Sequence, residues 1–116
     1  MAEPVYKVLS ETAFKEAERK GHFTGSADDT RAGFIHLSAA DQLDGTLGVH
    51  FAGQAGLILL AVDPSRLGPA LKWERSRGGA LFPHLYAPLD LAAVLWVETL
   101  PLGTNGRHIL PEGVFA

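Results

Sequence analysis

Apolar residues fall along this chain in runs of two spacings, and the runs predict its elements. Val5 to Leu9 predicts a first strand. Ser10 stands where a hydroxyl can cap a helix with Lys15, Glu16, Glu18, Arg19 and Lys20 on its polar face. The apolar side of that helix is small, Ala13, Phe14 and Ala17, and Gly21 is its stop. His22 to Ala32 is polar, carries Gly25, Ser26, Asp28 and Asp29, and predicts a loop or a short edge strand. After Phe34 to Leu37, Ser38 can cap a second helix, because Ala39, Leu43, Leu47 and Phe51 recur every four residues. Gly45 and Gly48 each cost about 1 kcal/mol relative to Ala within a helix, so this helix is short or packs closely against something.

Leu57 to Val62 is continuously apolar and predicts a central strand covered on both faces, ended by Asp63-Pro64, with Asp63 able to cap a single turn. Leu71 to Glu74 alternates and predicts a strand leading into the loop Arg75-Ser76-Arg77-Gly78-Gly79. Leu81 to Tyr86 and Val94 to Leu100 follow as strands, and the Asn105-Gly106 turn predicts a closing hairpin with Arg107 to Leu110. Helices crowd the first half and short strands the second. The expected fold class is therefore α+β: a small split or bent, mostly antiparallel β-sheet with two helices in the N-terminal half.

The 116 residues form one expected domain, 1–116, with no internal repeat beyond a five-residue echo. A formal charge of −3 does not supply the broad positive field that duplex nucleic acid requires, although a local basic site remains compatible with it. Without cysteine there is no disulfide, thiol catalysis or thiolate zinc site. The start, Met1-Ala2-Glu3-Pro4, lacks signal-peptide character and the longest apolar run, Gly56 to Val62, is too short to span a bilayer, so the expectation is a cytoplasmic protein with no membrane partner. Nothing in the sequence sets an oligomeric state.

The echo carries the chemistry. Phe34-Ile35-His36-Leu37-Ser38 and Phe82-Pro83-His84-Leu85-Tyr86 both run aromatic, apolar, histidine, leucine, hydroxyl, so Phe34, His36 and Ser38 share one strand face, as do Phe82, His84 and Tyr86. Imidazole nitrogens buried without partners cost about 1–3 kcal/mol each, so the two segments are expected to be two walls of one site. A histidine satisfied by a backbone carbonyl, or a core tyrosine, is the alternative at each position. Pro83 places its segment at an edge or beside a bulge. Trp73-Glu74 lies close enough along the chain to bring a carboxylate to the same cleft, where Glu74 could act as acid or base. Arg75 and Arg77 beside Gly78-Gly79 suit an anion such as a phosphate. A metal held by His36, His84 and Glu74 or Asp41 lacks any close ligand spacing and is not expected; hydrolase, P-loop and dinucleotide-binding motifs are absent.

Gly33-Phe34-Ile35-His36-Leu37-Ser38, Leu71-Lys72-Trp73-Glu74 and Leu81-Phe82-Pro83-His84-Leu85-Tyr86, in this order over nearly the whole length, resemble the small bacterial family known as domain of unknown function 952. The resemblance implies an ADP-ribosyltransferase-like fold, in a superfamily that binds NAD in the cleft of a split β-sheet. It implies NAD or nucleotide binding, and ADP-ribosyl transfer if the protein is an enzyme. His36 and Ser38 would hold a ribose, Tyr86 would stack a base or nicotinamide with Trp73 nearby, and Arg77 would approach the pyrophosphate. His84 and Glu74 are then the candidate catalytic residues; Glu98 is the other late glutamate, and Ala87 stands where the family pattern expects glycine. A non-catalytic module for a small molecule or peptide is the alternative, and a metal-dependent enzyme a more distant one.

Overall fold

A computed structural model describes residues 3–115; Met1 and Ala2, on which the reading of the leader partly falls, lie outside them. Strand β1 (Val5–Ser10) runs into helix α1 (Glu11–Lys20), and Ser10 caps it as expected, its Oγ accepting from the Ala13 N–H at 3.1 Å. The polar segment that follows differs from the expected loop. It holds a two-residue strand β2 (His22–Phe23) and a helix, α2 (Ala27–Ala32), closed by a capping box in which Ser26 and Asp29 satisfy each other's backbone N–H.

Strand β3 (Ile35–His36) leads not to a helix capped by Ser38 but to a 3₁₀ turn at Ala40–Gln42 and then α3 (Leu43–His50). Ser38 cannot serve as the cap because its backbone pairs with Tyr6 in both directions, at 2.8 and 2.9 Å, and its hydroxyl meets Thr46. The remaining strands are β4 (Leu57–Val62), β5 (Leu71–Arg75), β6 (Leu81–Leu85), β7 (Leu89–Asp90) and β8 (Val94–Leu100). The closing hairpin is reduced to one bridge, Leu102 to His108, around the turn at Gly106. Pro101 and Pro111 flank it, and each removes a backbone donor that a longer ladder would need.

The strands form three antiparallel groups, β1-β4-β8, β3-β6-β5 and the pair β2-β7, so the α+β, antiparallel expectation is met with three α-helices in the first half of the chain. β4 is buried at every residue and divides the core. Ile58, Leu60 and Val62 pack with Val5, Leu9 and Ala17 and with Ile35, Leu37 and Leu85 from the back of the second sheet. Leu57, Leu59 and Ala61 pack against Leu43 and Leu47 of α3 and against Tyr6 and Val8. At the free edge of β1 the two larger sheets share the Tyr6–Ser38 backbone bridge, and the space beside that bridge is a cleft. No helix among the described residues is long and apolar enough to cross a membrane.

Leu60→Ala, which empties a fully buried position in the central strand, is expected to cost about 2–5 kcal/mol in urea unfolding. Leu95→Ala on the exposed face of β8 should change it by less than about 0.5 kcal/mol, and equal losses at the two positions would contradict the core assignment.

Candidate functional site

The cleft has a volume of about 750 Å³, within the range of small-molecule sites. Its floor is the face of β3 and β6 that carries the echo. Register pairs His36 directly with His84, so the two imidazoles are cross-strand neighbours with ring centres 5.9 Å apart. They are therefore side by side on one wall, not on two facing walls as expected, because antiparallel partners project to the same side of a sheet. The opposite wall comes from α2, through Asp28, Arg31 and Ala32, and from α3, through Thr46, Val49 and His50.

His36 is held by a buried ion pair that the sequence reading did not assign. Lys7 extends from β1 between Val5 and Leu9 on the face toward the first core cluster, and its Nζ donates to Asp29 Oδ2 at 2.9 Å and to the His36 carbonyl at 3.0 Å. The side chains of Lys7 and Asp29 are only 7% and 2% exposed. Asp29 Oδ2 also accepts from the Ser26 N–H at 2.8 Å, while Oδ1 accepts from the His36 backbone N–H at 3.0 Å and from its Nδ1 at 2.6 Å. An ionised carboxylate can only accept, so Nδ1 of His36 carries a proton and Nε2 is the free nitrogen.

Burial alone would raise the Asp29 pKa, but the His36 bond, the Lys7 charge and the backbone N–H groups outweigh it and hold the carboxyl well below the usual carboxylate range. Burial pulls the Lys7 ammonium below its ordinary value, against the opposing pull of Asp29. Gly25 makes room for this arrangement. Its φ is +115°, and a Cβ there would come within 3.0 Å of Asp29 Cβ.

His84 is held from the neighbouring strand β5, by Glu74 on the same face of the sheet. Its Nδ1 bonds Glu74 Oε1 at 2.9 Å, and the Tyr86 hydroxyl donates to the same oxygen at 2.7 Å. The Tyr86 bond first and the His84 bond second keep the Glu74 carboxyl below its ordinary range, and the same contact raises the Tyr86 phenol. Phe34 stacks on the His84 ring with centroids 4.0 Å apart and an interplanar angle of 20°. The His84 side chain is 6% exposed against 44% for His36, yet no buried side-chain nitrogen or oxygen among the described residues lacks a partner. Nε2 of His84 has no partner among the described residues, and His84 lines the cleft.

Of the residues expected at the site, the cleft brings together His36, Ser38, His84 and Arg77. Arg77 lies in the 3₁₀ turn after β5, its guanidinium 4.9 Å above the Phe82 ring and without an acidic partner among the described residues. α3 passes close to it: a Cβ on Gly45 would stand 2.9 Å from Arg77 Nη2, which is the close packing that a glycine inside this helix implied. Glu74 and Tyr86 share the His84 face of the sheet, on its β5 side, and do not line the cleft. Trp73 pairs with Pro83, so it occupies the opposite face of the sheet from His84 and is exposed there. Glu98 is in β8 opposite Leu59, in the other sheet. Among the described residues no group of three or more His, Asp or Glu is placed to hold a metal.

Asp29 was the residue missed, and the signal for it was present. Ser26-x-x-Asp29 is a capping-box spacing, and a lysine between Val5 and Leu9 on the core face of a strand requires a carboxylate partner.

The family described as protein of unknown function (DUF952) matches residues 8–97. The crystal structure of protein CC0527 from Caulobacter crescentus is 46% identical, with 97% of this chain and 99% of that chain covered and a TM-score of 0.93. The solution NMR structure of CC0527 is 49% identical, with 90% of each chain covered and a TM-score of 0.81. No curated protein matches.

Asp29→Asn leaves the Lys7 ammonium buried and uncompensated and is expected to cost about 3–5 kcal/mol, much of it recovered when Lys7→Met is added. Because the native Asp29 carboxyl binds protons less well than the unfolded one, its contribution is fully present above about pH 4 and is lost as pH falls through its depressed native value. Stability measured against pH should therefore show a flatter acid limb in Asp29→Asn than in the wild type, and an unchanged limb would contradict the ion pair.

Proposed function

The chain belongs to the family described as protein of unknown function DUF952, and we propose that it is a nucleotide-binding protein whose cleft takes a ligand such as NAD. The observation that carries this reading is the acid-unpaired Arg77 guanidinium projecting into a cleft that also holds His36 and the Ser38–Thr46 hydroxyl pair. Arg77 suits a phosphate or pyrophosphate, since a guanidinium fork matches its oxygens, and the hydroxyls with His36 suit a ribose. The free edge of β1 adds to this. Tyr6 spends its edge-facing N–H and C=O on Ser38, and Val8, two residues on and also lining the cleft, points its own pair to the same edge.

The split between the two sheets supports an ADP-ribosyltransferase-like placement of that ligand. The lining speaks for binding more than for ribosyl transfer. Stabilising a ribosyl cation calls for a carboxylate facing it, whereas Asp28 is paired with Arg31, Asp29 is fully engaged, and Glu74 faces Tyr86 and His84. A peptide-binding reading at the cleft has less support, because Phe82 is buried and Phe34 is packed among His36, His84 and Tyr86, so these two rings form no flat apolar patch.

Calorimetric titration with NAD, AMP and adenosine tests the reading. Arg77→Ala should weaken NAD and AMP by about 10- to 100-fold and leave adenosine nearly unchanged, the scale of a charged hydrogen bond. Gly45→Ala should act in the same direction by displacing the guanidinium. Absence of heat with all three ligands would overturn nucleotide binding.

A further inference from the structure

We infer that His36 and His84 form an acid–base pair acting on a phosphodiester bond beside a ribose 2′-hydroxyl, a step that rests on the nucleotide reading of the same cleft. Both imidazoles give Nδ1 to a carboxylate, Asp29 for one and Glu74 for the other, so both leave Nε2 as the working nitrogen. Such a bond fixes the ring and stabilises the imidazolium formed when Nε2 takes a proton. Two histidines held this way, 5.9 Å apart between ring centres on one face, can each reach one of the two apical oxygens of an in-line displacement at a phosphorus lying over them.

The electrostatics of the lining select the bond. Arg77 and the two imidazoles present positive or neutral groups, and no unpaired carboxylate faces the cleft among the described residues. Such a lining favours negative charge growing on phosphoryl oxygens and disfavours a cation growing on a ribose carbon. His36 stands two residues from Ser38, on the strand face where the ribose is placed, and is the base. His84 is buried under the Phe34 ring, lines the cleft and is the acid.

In the step, neutral His36 Nε2 takes the 2′-hydroxyl proton as the 2′ oxygen bonds to phosphorus. The bond from phosphorus to the 5′ oxygen breaks, and protonated His84 gives its Nε2 proton to that oxygen. A 2′,3′-cyclic phosphate and a 5′-hydroxyl result, and proton exchange with water restores both rings.

Three ligands test this: uridylyl-3′,5′-adenosine, its 2′-deoxy analogue, and uridine 3′-(4-nitrophenyl phosphate), whose leaving group departs without a proton. The wild type should cleave the first and third and bind the second intact by calorimetry. His36→Ala should lose about 10²- to 10⁴-fold on both cleavable substrates. His84→Ala, and His84→Gln, which retains a donor for Glu74, should lose as much on the dinucleotide and return to within about tenfold of wild type on the nitrophenyl ester. Binding of the deoxy analogue without cleavage of either ribose substrate overturns the acid–base pair and leaves nucleotide binding intact; no binding of any ligand overturns both. Equal loss on the two substrates in the His84 variants overturns its assignment as the acid.

Discussion

The buried pair of Lys7 and Asp29 ties together three parts of the fold through one set of polar contacts. Its lysine belongs to β1, its carboxylate to α2, and both reach the backbone of His36 in β3. Neither charge gains much from being buried, since the desolvation of both offsets most of their attraction. The geometry is what they supply. Four donors converge on the two Asp29 oxygens, and any shift of α2 against the sheets would break one of them beside a buried charge. The position of the His36 ring is thus a product of the core, although its outer edge faces solvent.

The second histidine is positioned by other means. Glu74 on the neighbouring strand bonds His84, the Phe34 ring stacks on it, and Tyr86 just beyond β6 holds Glu74 in place. One imidazole is then exposed and held by a deeply buried charge, while the other is buried and held by a carboxylate near the surface. One shared pattern in the sequence produces two unlike environments. Different tasks for the two rings are consistent with this asymmetry.

Elements governed by local patterns were legible in the sequence. The run Leu57 to Val62 became the fully buried β4, the Ser10 hydroxyl capped α1, and Asp63 capped a single turn after β4. Elements governed by distant partners were not. Ser38 suited a helix cap, but the edge of β1 claimed its backbone. Asp29 suited a turn, and its capping role with Ser26 was only half of its bonding; the other half depended on Lys7, 22 residues away. The echo showed that Phe34, His36 and Ser38 share a face, but strand register, which no short motif encodes, decided that His36 and His84 are neighbours and that Trp73 faces away.

That register has a chemical consequence. Paired strands lie about 4.8 Å apart because backbone hydrogen bonds have a fixed length, so the distance between positions 36 and 84 is set by the peptide ladder and not by the residues occupying it. Substitutions at these two positions change which groups meet a ligand while leaving their separation untouched. The fold therefore behaves as a mount with two fixed sockets, and relatives sharing it could exchange the chemistry in those sockets without rebuilding the cleft.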